Sequence, residues 1–415
     1  MTATAGLQAR AAAHLMTTYP PAGVAFVRGQ GTALFDADGN TWLDFLCGLA
    51  VTSLGHAHPA VTRAVAAQAG TLVHTSNLFL TEPAVALAER LARLTGWDDA
   101  TVFFAQCGAT ANEAAIKLAR KHGKRQHPDK VRVVALEGSF HGRTLATLEA
   151  TGQPAKHVPF APLAGFVDHV PHDDPDALRA AVTADTCAVL LEVVQGEGGV
   201  RPVPEEVLLA ARETCDAHGA LLLVDEVQTG IGRTGPWFAF QDTPVVPDVV
   251  TVAKALANGL PLGACIARGP AAAVFAPGDH ATTFGGNPVT CAAANAVLDT
   301  IEAEGLLASA AVRARRLRQG LEGLVAGSPL ARGVRGRGLL LGLELAAPVA
   351  ADVTAACAAR YLVVNAVAPD VVRLAPPLTV SRQEVDLALA ALEEALSEVA
   401  QPPTDPRPAS NRRTA

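Results

Sequence analysis

Through the middle of the chain, apolar residues come in short runs separated by longer stretches of mixed polarity. The runs Val102–Ala105, Val131–Leu136, Phe166–Val170, Ala188–Val194, Leu221–Asp225, Val249–Ala253 and Leu262–Ala267 have the length of strands. Between them, Glu113–Lys121 and Val207–His218 read as helices. Pro204, Glu205 and Glu206 open the second, where a ring-fixed φ and negative charge suit a helix N-terminus. Strands alternating with helices predict an α/β fold with a mostly parallel seven-stranded sheet.

The pattern changes after about Pro288. Ala292–Glu304 and Leu306–Leu324 read as long helices broken at Gly305, followed by strands at Leu339–Leu345, Leu362–Asn365 and Val371–Leu374. A last helix follows Ser381, where S-R-Q-E is a capping box. Near the N-terminus, Phe26–Arg28, Ala33–Asp36 and Trp42–Asp44 are short strands around a D-A-D-G-N turn. The expected organisation is a large domain over 56–300 and a smaller α+β domain over 301–400, with residues 1–55 packing on the small domain. By composition, 401–415 is a disordered tail.

Composition narrows the function classes. The chain has 415 residues, 50% hydrophobic and 18% charged, with a net charge of −7. That is not the composition of a disordered protein, and no basic face for nucleic acid is in view. Apolar runs such as Leu221–Val224 are far too short to cross a bilayer, and the N-terminus does not read as a signal peptide. Seven scattered cysteines without a C-x-x-C pair disfavour a disulfide scaffold or a zinc site, and a cytoplasmic location is expected. Only six of the 33 basic residues are lysine, and just one, Lys254, follows position 156.

Lys254 closes one apolar run and Asp225 another, 29 residues earlier, about one strand–connection–strand unit apart. Taken alone, a strand-end aspartate is most often a cap or a turn residue. Two such ends on neighbouring units can instead face one crevice, because open α/β sheets bind ligands at the carboxyl ends of their strands. A buried amine becomes a nucleophile towards carbonyls, and an anion can keep a pyridine nitrogen protonated; pyridoxal phosphate needs both. Gly108 and Ala109 lie where a strand turns into a helix and could offer amides to a phosphate. Thr283 sits in a second loop of this kind, T-T-F-G-G-N-P. Phe140 and Arg143 follow another strand end, although Phe140 could equally be core. Arg373, inside the apolar V-R-L-A-P-P-L, needs an anionic partner from the protein or a substrate.

These residues fall within motifs that occur in one order: D-F-L-C-G-L-A-V-T-S-L-G-H-A-H-P, H-T-S-N-L-F, F-H-G-R-T, Q-G-E-G-G-V, L-V-D-E-V-Q-T-G-I-G-R-T-G, A-K-A-L-A-N-G-L-P-L-G-A, T-F-G-G-N-P and V-R-L-A-P-P-L. With them the sequence resembles the class III, ornithine-type, pyridoxal-phosphate-dependent aminotransferases over roughly residues 15 to 400. The resemblance implies the fold type I architecture of that class and a homodimer with shared active sites. It implies Lys254 as the Schiff-base lysine and proton shuttle, Asp225 on the pyridine nitrogen, Gln228 on the phenolic oxygen and Phe140 stacked on the ring. Gly108 and Ala109 would hold the phosphate, with Thr283 adding a hydroxyl across the subunit interface. Arg373 would take the α-carboxylate of glutamate or 2-oxoglutarate, and Arg143 the distal carboxylate or that of the amino donor. Glu197 would hide Arg373 when an ω-amine binds, and Tyr19 would touch the substrate's α-group.

The implied activity is transfer of the δ-amino group of N2-acetylornithine to 2-oxoglutarate, in arginine biosynthesis. Succinylornithine, succinyl-diaminopimelate, ornithine, 4-aminobutyrate and lysine-type donors are the rivals, and a non-catalytic homologue is a further alternative. Arg373 and Glu197 argue against an aminomutase that uses no 2-oxoglutarate. A nucleotide-binding reading of the glycine loops fails for want of G-x-x-x-x-G-K-[ST]. The departure from the family lies at Gln106-Cys107-Gly108-Ala109-Thr110, where relatives usually read N-S-G-A-E or N-S-G-T-E. A thiol donates less well than the usual hydroxyl, and the usual acid is missing at Thr110, so weakened but sufficient cofactor binding is expected.

Overall fold

The computed structural model describes residues 2–20 and 22–401. Its central sheet has seven strands in the spatial order Thr101–Ala105, Gly263–Ala267, Val249–Val252, Leu221–Asp225, Thr186–Leu191, Arg132–Leu136 and Val167–Val170. Neighbours are parallel except at Gly263–Ala267, which is antiparallel to the strand on either side. Those two reversals cancel, so Ala105 ends at the same edge of the sheet as Asp225 and Val252.

Both faces of the sheet are covered, which is why its strands read as continuous apolar runs rather than as an alternation. Val133, Leu190, Leu223 and Val249 belong to one apolar cluster, with Ala114, Ala115 and Leu118 of the helix Gly108–Gln126. Val134, Val189, Leu191, Leu222, Val224 and Val250 belong to the other, with Val207 and Leu208 of the helix Glu205–His218. Helices Pro59–Ala69 and Glu82–Thr95 pack on Pro288–Ala303, and the boundary expected at 300/301 falls inside that last helix.

The C-terminal region carries an antiparallel sheet in the order Ala331–Arg337, Leu340–Leu345, Val371–Leu374 and Asn365–Ala368. The closing helix Arg382–Ala400 begins at the Ser381–Glu384 capping box, in which each side chain accepts from the other residue's backbone N–H. The N-terminal strands Phe26–Gln30, Ala33–Asp36 and Thr41–Asp44 form a sheet with Leu362–Val363. Asp36 anchors the turn there, accepting from Asp38 and Asn40 N–H groups and from the Trp42 indole at 2.8 Å.

The sequence reading left out several helices, Pro59–Ala69, Glu82–Thr95 and Ala350–Ala358 among them, and four other elements differ from it for a plain reason. The run Ala188–Val194 leaves the sheet after Leu191, and Val194–Gln195 instead pairs with Arg201–Pro202. Leu362–Asn365 divides, its first half joining the N-terminal sheet while Asn365–Ala368 joins the C-terminal one. Ala331–Arg337 is an unforeseen strand. Its sequence A-R-G-V-R-G-R carries no apolar run, because an edge strand is held by main-chain pairing, here to Leu340–Leu345. The helix expected at Glu113–Lys121 extends over Gly108–Gln126, its ends being too polar for an apolar pattern to mark. The tail expected at 401–415 lies, from 402 onward, outside the described residues.

Candidate active site

At the carboxyl edge of the central sheet lies a cavity of about 380 Å³, whose lining brings together Cys107–Ala109, Phe140–Arg143, Glu192, Glu197, Asp225, Val227, Gln228 and Lys254 from segments far apart in sequence. Asp225 ends its strand only 3% exposed. One carboxylate oxygen accepts from Asn112 Nδ2 at 2.7 Å and His141 Nδ1 at 2.8 Å, and the other from the backbone N–H of Val227 at 2.9 Å. Asn112 is held in turn by the Thr251 hydroxyl, which donates to its Oδ1 at 2.6 Å. The Asp225 carboxylate is thus aimed by neighbours from two other segments, Asn112 and His141, and by the backbone of its own.

Lys254 lies just past the end of its strand with φ of +41°, a conformation rare outside glycine and often found where function requires strain. Burial pushes its amine below the ordinary lysine range, while the charge of Glu197 pulls it back up. Phe140 is held by its backbone N–H, which donates to Glu192 Oε2 at 3.1 Å. Burial, then the neighbouring charge of Asp225, drives the Glu192 carboxyl well above the usual carboxylate range. Glu192 was missed in the sequence, where an acid at the end of an apolar run (L-L-E-V-V) was the available signal.

Arg373 is fully buried. Its Nη1 donates to Glu197 Oε1 at 2.5 Å, Gln228 Oε1 at 3.0 Å and the Gly196 carbonyl at 3.2 Å, and its Nε donates to Asn365 Oδ1 at 3.1 Å. Gln228 Nε2 donates back to Glu197 at 3.2 Å. Burial alone would raise the Glu197 carboxyl, but the charge and hydrogen bond of Arg373 hold it below its ordinary value. Arg373 Nη2 is buried without a hydrogen-bond partner among the described residues.

One wall of the cavity is the start of the helix Gly108–Gln126, whose first-turn N–H groups at Gly108 and Ala109 have no carbonyl within the helix to bind. A Cβ on Gly108 would come within 2.6 Å of Val227, so only glycine fits with that valine in place. Thr110 restores the order that the missing acid put in question. Its hydroxyl accepts from the N–H groups of Gln106 at 3.2 Å and Cys107 at 3.1 Å, and donates to the Cys107 carbonyl.

Arg143 is exposed at the cavity wall, its guanidinium 5.7 Å from the Phe140 ring centroid. Two expected residues lie elsewhere. Thr283 is exposed in a second cleft with His74, Asn77 and Phe104, and Tyr19 is 83% exposed in an apolar groove with Leu7, Leu15 and Met16.

The class-III aminotransferase family model matches residues 16–396. The chain is a class-III aminotransferase. It is 52% identical over 392 residues to the acetylornithine aminotransferase of Mycobacterium tuberculosis (strain H37Rv), covering 94% of this chain and 96% of the relative. With the acetylornithine aminotransferase of Streptomyces coelicolor it shares 53% identity over 388 residues, 93% of this chain and 94% of the relative. Among solved structures, the ornithine aminotransferase of Toxoplasma gondii ME49 superposes with a TM-score of 0.91 at 30% identity, covering 96% of each chain. The N-acetylornithine aminotransferase of Stenotrophomonas maltophilia K279a does so at 0.82 and 34%, covering 94% of this chain and 98% of that one. Class-III aminotransferases use pyridoxal 5′-phosphate, and the cavity of this one fits it: open helix-start amides, a buried acid, an aromatic ring and a depressed-pKa lysine share one space.

Proposed function

We propose that this aminotransferase moves the δ-amino group of N2-acetylornithine to 2-oxoglutarate, giving N-acetylglutamate 5-semialdehyde and glutamate. About 50% identity to several acetylornithine aminotransferases over nearly the whole chain supports the substrate. The observation that carries the mechanism is the buried Arg373–Glu197–Gln228 cluster at the cavity wall.

When bound, pyridoxal phosphate supplies a carbonyl carbon that accepts an amino group and a ring that withdraws electrons from it. Lys254 would hold the cofactor, with Gly108 and Ala109 amides on the phosphate, Asp225 on the pyridine nitrogen, Gln228 on the phenolic oxygen and Phe140 on the ring face. Lys254 Nζ also takes the proton from the substrate carbon bearing nitrogen, a role its depressed pKa suits because the amine must be neutral to accept it. Arg373 is masked by Glu197 while the δ-amine, with no carboxylate beside it, is in place. For 2-oxoglutarate, Glu197 swings away and Arg373 grips the α-carboxylate, leaving Arg143 for the distal one. A bidentate fork fits a carboxylate in that position, and the open Nη2 is half of it.

The working unit in this reading is a homodimer. Leu72, Val73, Leu78, Phe79, Leu80 and Phe284 are exposed around the cleft that carries Thr283, an apolar surface of the kind a subunit covers. Thr283 would then serve the phosphate of the other subunit's site, and Tyr19 a substrate's α-group. Among the described residues no helix is long and apolar enough to cross a membrane. The seven free cysteines favour a reducing cytoplasm.

The test is glutamate formation from 2-oxoglutarate with a panel of donors: N2-acetylornithine, succinylornithine, ornithine and 4-aminobutyrate. N2-acetylornithine should give the highest kcat/KM, and preference for another donor would overturn the substrate assignment. Lys254→Ala should abolish both turnover and the visible absorbance of lysine-bound cofactor; retained turnover refutes its role.

A further inference from the structure

Two cations converge on Phe140. Arg143 approaches the ring to 5.7 Å and Lys156 Nζ to 6.0 Å from the centroid. Neither makes a salt bridge or a hydrogen bond to an acid among the described residues, in a chain where most other buried or half-buried basic groups do. Lys156 is half-buried and held in place: its amine donates to Gln153 Oε1, while Gln153 Nε2 donates to the carbonyls of Gly138 and Ser139, on the loop that carries Phe140. A flexible surface lysine gains nothing from such a brace beside a like charge.

We propose that Lys156 is a second carboxylate-binding residue beside Arg143, which together grip the carboxylate that lies away from the reacting carbon. This rests on the transamination reading above and names a specificity residue for it. Its amine lies beside a ring that lines the cavity; burial, and then the Arg143 charge, lower the Lys156 pKa, while Glu197 raises it. An arriving carboxylate relieves the repulsion between the two cations, and binding is stronger for a dianion than for a neutral chain of the same length.

The test measures steady-state kinetics of Lys156→Ala, Lys156→Gln and Lys156→Arg with N2-acetylornithine, with 2-oxoglutarate, and with an aliphatic ω-amine that has no carboxylate. The alanine and glutamine variants should raise KM for both carboxylate substrates about tenfold with kcat within about twofold, leave the plain amine unchanged, and be rescued by arginine. Glutarate, titrated by calorimetry into each holoenzyme, should lose affinity by the same factor. Cofactor affinity, read from absorbance, should not move. Unchanged KM values, or equal losses with the plain amine, overturn the assignment. If wild type ignores N2-acetylornithine, the substrate reading fails alone, because the Lys156 effect is still read with glutamate and 2-oxoglutarate.

Discussion

Glu197→Gln removes a charge from the Arg373 cluster while keeping its shape. In the wild-type protein the Glu197 side chain is 25% exposed and that of Arg373 only 1%, so the pair sits at the boundary between protein and cavity. To receive an α-carboxylate, Arg373 must give up a charge-assisted hydrogen bond worth about 1.5–3 kcal/mol. The quarter-exposed acid regains water when it leaves, so the low end, about 1.5 kcal/mol or about tenfold, is the relevant cost. Glutamine lowers that cost, and Gln228 and the Gly196 carbonyl still hold the guanidinium in place. The glutamate half-reaction should therefore gain about tenfold in kcat/KM, while the acetylornithine half-reaction falls by a similar factor because an unmasked cation faces its aliphatic chain. Single-turnover changes in cofactor absorbance, followed separately with each amino donor, read the two arms. A fall in both by the same factor, or a loss confined to glutamate, would refute the switch and leave Glu197 a purely structural partner.

The remaining predictions concern the cofactor cradle and the buried acid that follows Asp225. Gly108→Ala should weaken binding of pyridoxal phosphate to the apoprotein at least tenfold, and Val227→Ala in the same chain should restore most of it, since the clash is with that side chain. Thr110→Val should also weaken it, by about 1–2 kcal/mol, because the Gln106 and Cys107 N–H groups lose their acceptor; Thr110→Ser should not. Equilibrium titration of the apoprotein checks both. Burial raises the Glu226 carboxyl to about 7 from 4.5, so the folded protein holds a proton that the unfolded chain releases. The associated stability is full below pH 4.5 and is lost as pH rises to about 7, a slope worth about 3 kcal/mol. Glu226→Gln should flatten that part of a denaturant-midpoint-versus-pH curve, and an unchanged slope would assign it to other groups.

What could be read from the sequence was whatever depends on local repetition. Apolar runs at βα spacing marked all seven strands of the central sheet, most plainly the inner ones, which burial on both faces leaves uninterrupted, and least so the edge strand Val167–Val170, V-D-H-V. The same regularity linked Asp225 to Lys254: adjacent parallel strands end on one side, and Asp225 lies in register with Thr251, three residues before the lysine. Lysine scarcity singled out Lys254 as the candidate nucleophilic amine for a chemical reason, since a guanidinium stays protonated and cannot replace it.

Other features depend on distances that no local pattern encodes. Arg373 comes from the C-terminal sheet and meets Glu197 and Gln228 only because that sheet packs over the cavity. The strand Ala331–Arg337 escaped notice because main-chain pairing, not side-chain pattern, holds an edge. That Thr110 takes over capping hydrogen bonds, that Glu192 lies buried beside Asp225, and that Lys156 approaches the same ring as Arg143 with no counter-ion among the described residues follow from three-dimensional proximity alone. The chain order specified the chemical groups; packing set their partners, and with them their charge.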